Sequence, residues 1–235
     1  MQSIIPPATV LVTGANGFIG TWVCKIFLEK GYWVRGTVRS SSKGDYLLEI
    51  FKDYGERFAY YVVEDITKPG AFDEAIKSIQ AVIPVASPAT AAIDDPQDLI
   101  KPALNGTLEL IHSINTYGLE VECLVLTSSG SAITDPTQPA GTIYTDDDWN
   151  TWSVKQMEEK GKNAGWDKYR ASKVLAERAA WEEVKKQNRW DLVAIHRRVA
   201  HFLFALSSLI DITIGQRCPL YMRNQPVSGV SEHPD

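Results

Sequence analysis

The chain predicts an α/β fold, a parallel sheet wound on both faces by helices, and three observations predict it. Short apolar runs rich in β-branched residues alternate with longer runs of helical spacing through residues 1–196. The short runs are almost continuously apolar, as in parallel strands buried on both faces. A glycine-rich turn joins the first strand to the first helix.

The elements follow in order. Ala8 to Thr13 reads as the first strand and closes on Gly14. Gly17 to Lys30 has helical spacing, with Phe18, Val23, Ile26 and Phe27 apolar and Gly31 placed to end it. A second strand over Tyr32 to Val38 and a helix over Lys43 to Tyr54 come next. Phe58 to Val63 is a third strand, followed by a helix around Ala71 to Ile79 and a fourth strand over Ala81 to Ala86. The long helix Leu99 to Tyr117 is closed by Gly118, and Val121 to Thr127 is a fifth strand. Thr134 to Asn150, rich in Pro, Thr and Asp, is a long loop of the kind that usually carries function. Asp167 to Gln187 is a helix and Asp191 to His196 a sixth strand. Residues 197–235 form a tail of no assigned element, and its polar end, Arg223 to Asp235, is expected to be loosely held.

Composition narrows the function classes. Of 235 residues, 24 are Lys or Arg and 29 are Asp or Glu, a net charge of −5. That lacks the basic excess of a nucleic-acid binder. Cys24, Cys123 and Cys218 are far apart and form no C-x-x-C, so neither a disulfide framework nor a metal site is expected. The segment Met1 to Pro7 has no basic region and no long apolar core, unlike a secretory signal. The longest apolar stretch, His201 to Gly215, includes Ser207, Ser208 and Asp211 and is too short to span a bilayer. A cytoplasmic protein without membrane partners is the expectation.

The glycines of Thr13-Gly14-Ala15-Asn16-Gly17-Phe18-Ile19-Gly20 lie three apart between a strand and a helix. Gly14 permits the sharp turn, Gly17 lets the backbone approach a pyrophosphate, and Gly20 lets the helix pack on the strand. The free amides at the helix start then face the phosphates. A Rossmann-type doubly wound parallel sheet that binds a dinucleotide is therefore expected. NAD-preferring proteins place an acidic residue after the second strand. This chain has Thr37-Val38-Arg39-Ser40 there, with Lys43 close behind, and two cations suit a 2′-phosphate, so NADPH is expected over NADH.

Tyr169 and Lys173 are four residues apart at the start of a helix and so share a face. An ammonium beside a phenol favours the phenolate, from an unperturbed pKa of about 10. A tyrosine tuned in that way serves as a general acid. The spacing is common by chance, and its weight comes from Thr127-Ser128-Ser129-Gly130-Ser131, which puts hydroxyls at the sheet's carboxyl edge.

Together these features resemble the extended short-chain dehydrogenase/reductases, in particular the dihydroflavonol-reductase-like branch with its fungal aldehyde and methylglyoxal reductases. The matching stretches are Val12 to Gly20, Gly36 to Arg39, Val85-Ala86-Ser87-Pro88, Leu104 to Thr107, Val125 to Ser129, Asp147 to Asn150 and Tyr169 to Glu177. The resemblance implies a reductase passing hydride from NADPH to a ketone or aldehyde. It implies Tyr169 as proton donor, Lys173 as the residue that binds the nicotinamide ribose and lowers the tyrosine pKa, and Ser129 as the group polarising the carbonyl. It further implies cofactor contacts from Gly14, Asn16, Gly17, Phe18, Ile19, Gly20, Ala86, Tyr169 and Lys173. Arg39 and Lys43 would hold the 2′-phosphate, with Asp65 and Ile66 flanking the adenine.

Two departures stand out. Pro84 replaces the family's usual His, and after Ile195 the chain reads His196-Arg197-Arg198-Val199-Ala200-His201 where an Asn-Pro-containing loop is expected. The resemblance implies a C-terminal substrate-binding portion, about the family's last third, that is expected to be missing here, and a frameshift, retained intron or altered splice would explain the abrupt change. Two further readings stay open. One is a dinucleotide-binding remnant without catalysis. The other is a nucleotide-sugar epimerase or dehydratase holding NAD, against which Arg39 counts.

Overall fold

The computed structural model describes residues 4–87 and 94–196. The expected tail 197–235 and its loosely held end lie outside them, as do Pro88 and the apolar stretch from His201. Among the described residues six strands build one sheet: β1 (Thr9–Thr13), β2 (Trp33–Val38), β3 (Phe58–Val62), β4 (Ala81–Pro84), β5 (Cys123–Thr127) and β6 (Asp191–Ile195). Every pairing is parallel and the order is β3-β2-β1-β4-β5-β6. The doubly wound Rossmann-type sheet expected from the sequence is thus present, and its order reverses between β1 and β4.

The helices are α1 (Phe18–Glu29), α2 (Ser41–Ile50), α3 (Gln97–Thr116), α4 (Thr151–Lys160) and α5 (Asp167–Val184). Strand alternation explains why both faces need cover. Val10, Val12, Ala81, Ile83, Cys123 and Val125 bury one face with Val23, Phe27, Leu47 and Phe51 of the α1/α2 side. Leu11, Val82, Leu124, Leu126 and Leu192 bury the other with Leu110, Ile111 and Ile114 of α3 and Ala180 of α5. Consecutive strand residues thus feed two separate cores, which is why the strands read as continuously apolar.

The helix expected over Lys43 to Tyr54 ends at Ile50 and gives way to the 3-10 stretch Lys52–Arg57, and two further stretches differ from expectation. Residues 71–78 are turns, not a helix. Phe72, Ala75, Ile76 and Ile79 are buried as the helical spacing predicts. The stretch starts after Gly70, at φ +76°, and reaches Ser78, at φ +58°. The carbonyls of Ala75 and Lys77 accept from the Arg35 guanidinium at 2.9 and 2.7 Å. A segment this short gains little from propagating helical bonds. Conversely, α4 was not expected, because its buried face is Ser153, Gln156 and Met157, two of them polar. Its start is a side-chain cap: Asn150 Oδ1 accepts from the Ser153 amide at 3.0 Å.

Among the described residues no helix is long and apolar enough to cross a membrane. Nor, among them, do three or more His, Cys, Asp or Glu side chains form a group able to hold a metal ion.

Candidate active site

At the carboxyl ends of β1 and β4, where the sheet order reverses, lies a cavity of about 470 Å³. The first turn forms its floor through Gly14, Asn16, Gly17, Phe18 and Ile19. Gly14 has φ +64°, and a β-carbon there would stand 3.0 Å from the Ala86 Cα, so the turn and the β4 exit touch through backbone. Thr13 reinforces this contact, its hydroxyl oxygen accepting from the amides of Val85 and Ala86 at 3.1 and 3.0 Å. The start of α1 carries no side-chain cap, which leaves its first amides for a ligand. Arg39 and Lys43 line the cavity, together with Ile66, and among the described residues none that lines it is acidic.

Beside the cavity, α5 presents Tyr169, Lys173 and Glu177 at successive one-turn intervals. Lys173 Nζ donates to Ser87 Oγ at 2.8 Å and lies 5.5 Å from the centre of the Tyr169 ring. Burial lowers the Lys173 pKa to about 8, because a low-dielectric setting disfavours the ammonium. Ser87 lines the large cavity and also a smaller pocket shared with Lys173, Ser128 and Glu177. The two serines at the β5 exit take opposite directions. Ser128 is buried and donates to Glu177. Ser129 Oγ accepts from the Ser131 amide at 3.1 Å, capping the short 3-10 turn Gly130–Ala132. With its oxygen engaged as acceptor, the Ser129 hydroxyl keeps its hydrogen to give.

Residues 10–201 match the family described as NAD dependent epimerase/dehydratase. The chain belongs to that family. Ketoreductase azaE of Aspergillus niger is 41% identical over 197 residues, 80% of this chain and 55% of that protein. A bifunctional dihydroflavonol 4-reductase/flavanone 4-reductase of Malus domestica is 34% identical over 94% of this chain and 62% of its own length. The solved structure of Gre2 from Candida albicans in complex with NADPH superposes with a TM-score of 0.74 at 36% identity, covering 81% of this chain and 57% of that one. The chain thus spans little more than half the length of the first of these relatives and of that solved structure.

Within this epimerase/dehydratase family member, most residues singled out from sequence gather at one sheet edge. Gly14, Asn16, Gly17, Phe18, Ile19, Arg39, Lys43, Ile66 and Ala86 all line the large cavity. Two do not. Gly20 sits behind the wall, where a β-carbon would come within 2.2 Å of the Gly14 carbonyl oxygen. Asp65 is exposed, and its carboxylate turns back to accept from the Thr67 amide at 2.9 Å and hydroxyl at 2.7 Å. Those bonds hold its pKa low. The expectation that it flanks the adenine gains nothing from that orientation, whereas Ile66 next to it does face the cavity. Ser87, Glu177 and His196 carry no individual role in what the sequence predicts. The first two lie inside quoted motif stretches, Val85 to Pro88 and Tyr169 to Glu177, so the signal was present but unassigned.

Proposed function

We propose that this chain binds NADPH in the large cavity and reduces an aldehyde or ketone. The observation that carries the reading is the Lys173–Ser87 hydrogen bond, which ties the Tyr/Lys face of α5 to the cavity wall. The residues fit the cofactor. An uncapped helix start and glycine backbone suit the pyrophosphate, and the two cations Arg39 and Lys43 suit a 2′-phosphate. When bound, NADPH would supply the hydride. Ser129 would donate its hydroxyl hydrogen to the carbonyl oxygen and so polarise the bond. Tyr169 would pass its phenolic proton to that oxygen, and the cationic Lys173 would stabilise the phenolate left behind. The expected partner is a small carbonyl compound, and the relatives named as ketoreductase and dihydroflavonol reductase support that class.

The test is a titration of the purified chain with NADPH and NADH, followed by tryptophan fluorescence, then NADPH oxidation on a panel of aldehydes and ketones. Turnover with preference for NADPH supports the proposal. Binding without turnover makes the chain a dinucleotide-binding module. A tightly held NAD that survives purification supports an epimerase or dehydratase instead.

Two predictions follow from single groups. Arg39→Asp should weaken NADPH by about 10- to 100-fold, the range of a lost charge-assisted contact, while NADH changes less than about threefold. Equal losses for both cofactors would reject the 2′-phosphate role. The second concerns pH. Lys173 is cationic below about 8 and neutral above it, so a step that needs its ammonium weakens as pH rises. The kcat/KM for NADPH should therefore fall above about pH 8, and Lys173→Met should be slower throughout and lack that limb. A profile unchanged in the variant would show that Lys173 does not set it.

A further inference from the structure

Glu177 has no part in the proposed reduction, yet its setting is unusual for a carboxylate. The side chain is 1% exposed. It accepts from Ser128 of the β5 exit, from Trp181 Nε1 at 3.3 Å, and pairs with His196 Nε2 at 2.9 Å through both oxygens. His196 follows the last residue of β6, and its side chain is itself 13% exposed. Burial by itself would raise the Glu177 pKa, but the His196 bond and charge, with the bonds from Ser128 and Trp181, hold it low, so the carboxylate is ionised. A buried ion of this kind is expensive, and an apolar residue of similar volume would pack α5 at least as well. Packing alone therefore does not account for it.

Position suggests the reason. Tyr169, Lys173 and Glu177 form one stripe along α5. Lys173 bonds Ser87 beyond β4, Glu177 bonds Ser128 beyond β5, and Glu177 bonds His196 beyond β6. One helix face is thus fastened to three consecutive strand exits by polar bonds, which have a fixed length and direction that apolar contacts lack. Ser128 is joined directly to Ser129, whose hydroxyl caps the Gly130–Ala132 turn. We propose that Glu177 is a positioning residue that fixes the axial register of Tyr169 and Lys173 against Ser129 by holding Ser128. It touches neither substrate nor cofactor and acts through the residues it bonds. The inference rests on the reductase reading for its kinetic consequence, though its geometric consequence does not.

The test compares Ser128→Ala, Glu177→Ala and Glu177→Gln with the parent chain, using NADPH oxidation, NADPH affinity and amide exchange at Ser131. A loosened reacting geometry of about 1 Å costs on the order of 100-fold. Ser128→Ala, which leaves the Glu177–His196 pair intact, should lower kcat at least tenfold while the NADPH dissociation constant stays within twofold. Glu177→Gln keeps the shape and an acceptor for Ser128, so it should recover most of the kcat lost in Glu177→Ala. If Glu177→Ala does not fold, the Ser128→Ala comparison decides. A folded Ser128→Ala chain with kcat within twofold of the parent overturns the proposal. If the parent turns over no carbonyl, the reductase reading fails separately. The register claim is then judged on the Ser131 amide, faster exchange in Ser128→Ala supporting it and unchanged exchange rejecting it.

Discussion

Tyr169→Phe should reduce kcat for carbonyl reduction by about 10³-fold, within the 10²- to 10⁴-fold that a positioned general acid contributes. The change removes one hydroxyl and leaves the ring. That ring sits edge-on to Trp166 at 6.5 Å between centroids and beside Lys173 Nζ at 5.5 Å, so packing should survive. The Lys173–Ser87 bond does not involve the phenol and should also persist. NADPH affinity should accordingly remain within about twofold, since the loss belongs to proton transfer and not to binding. Steady-state kinetics with a saturating aldehyde, paired with a fluorescence titration, checks both halves. A variant that keeps a tenth or more of parental kcat would remove Tyr169 from the proton-donor role. A variant that loses NADPH binding in proportion would make it a binding residue.

Gly20→Val should damage fold and cofactor site together. A β-carbon at this position would lie 2.2 Å from the Gly14 carbonyl oxygen and 2.9 Å from the Ala15 Cα, both backbone atoms that no rotamer change can move. The first turn of α1 must shift away from β1, or the glycine turn must open. Overpacking of this sort costs typically about 1–3 kcal/mol, and a backbone clash with a branched side chain belongs at or above the upper end. Because Gly14 and Gly17 of the same turn form the cavity floor, NADPH affinity should fall at least about tenfold as the amides move off target. Urea unfolding monitored by circular dichroism reads the first effect, and titration the second. Parental stability would show that helix and strand tolerate wider separation. Lost stability with intact binding would show that the turn moves as a unit.

The fold was legible because it depends on periodicity. Strand residues such as Val10, Leu11 and Val12 alternate between two cores, and both cores are apolar, so the pattern survives in one dimension. Where a buried face is polar the pattern fails: α4 hides Ser153 and Gln156, and only its Asn150 cap announces it. The reverse error at residues 71–78 has the same root. Apolar spacing there reports burial, while the chain's shortness and the Arg35 bonds to its carbonyls decide the backbone.

For the site, chain order alone dictates which residues meet at the carboxyl edge. The glycine turn after β1, the cations after β2 and the hydroxyls after β5 each follow a strand, and a parallel sheet brings all strand ends to one side. The Tyr169–Lys173 spacing fixed a shared helix face in the same way, being local. Where each side chain turns once there depends on packing in three dimensions. Ser128 and Ser129 are neighbours of one type, yet one is buried on Glu177 and the other caps a turn. Asp65 and Ile66 are adjacent, yet one folds onto Thr67 and the other faces the cavity. The Lys173–Ser87 and Glu177–His196 bonds span 86 and 19 residues. Side-chain direction and long-range partners depend on how α5 docks on the sheet, and no periodicity along the chain encodes that docking.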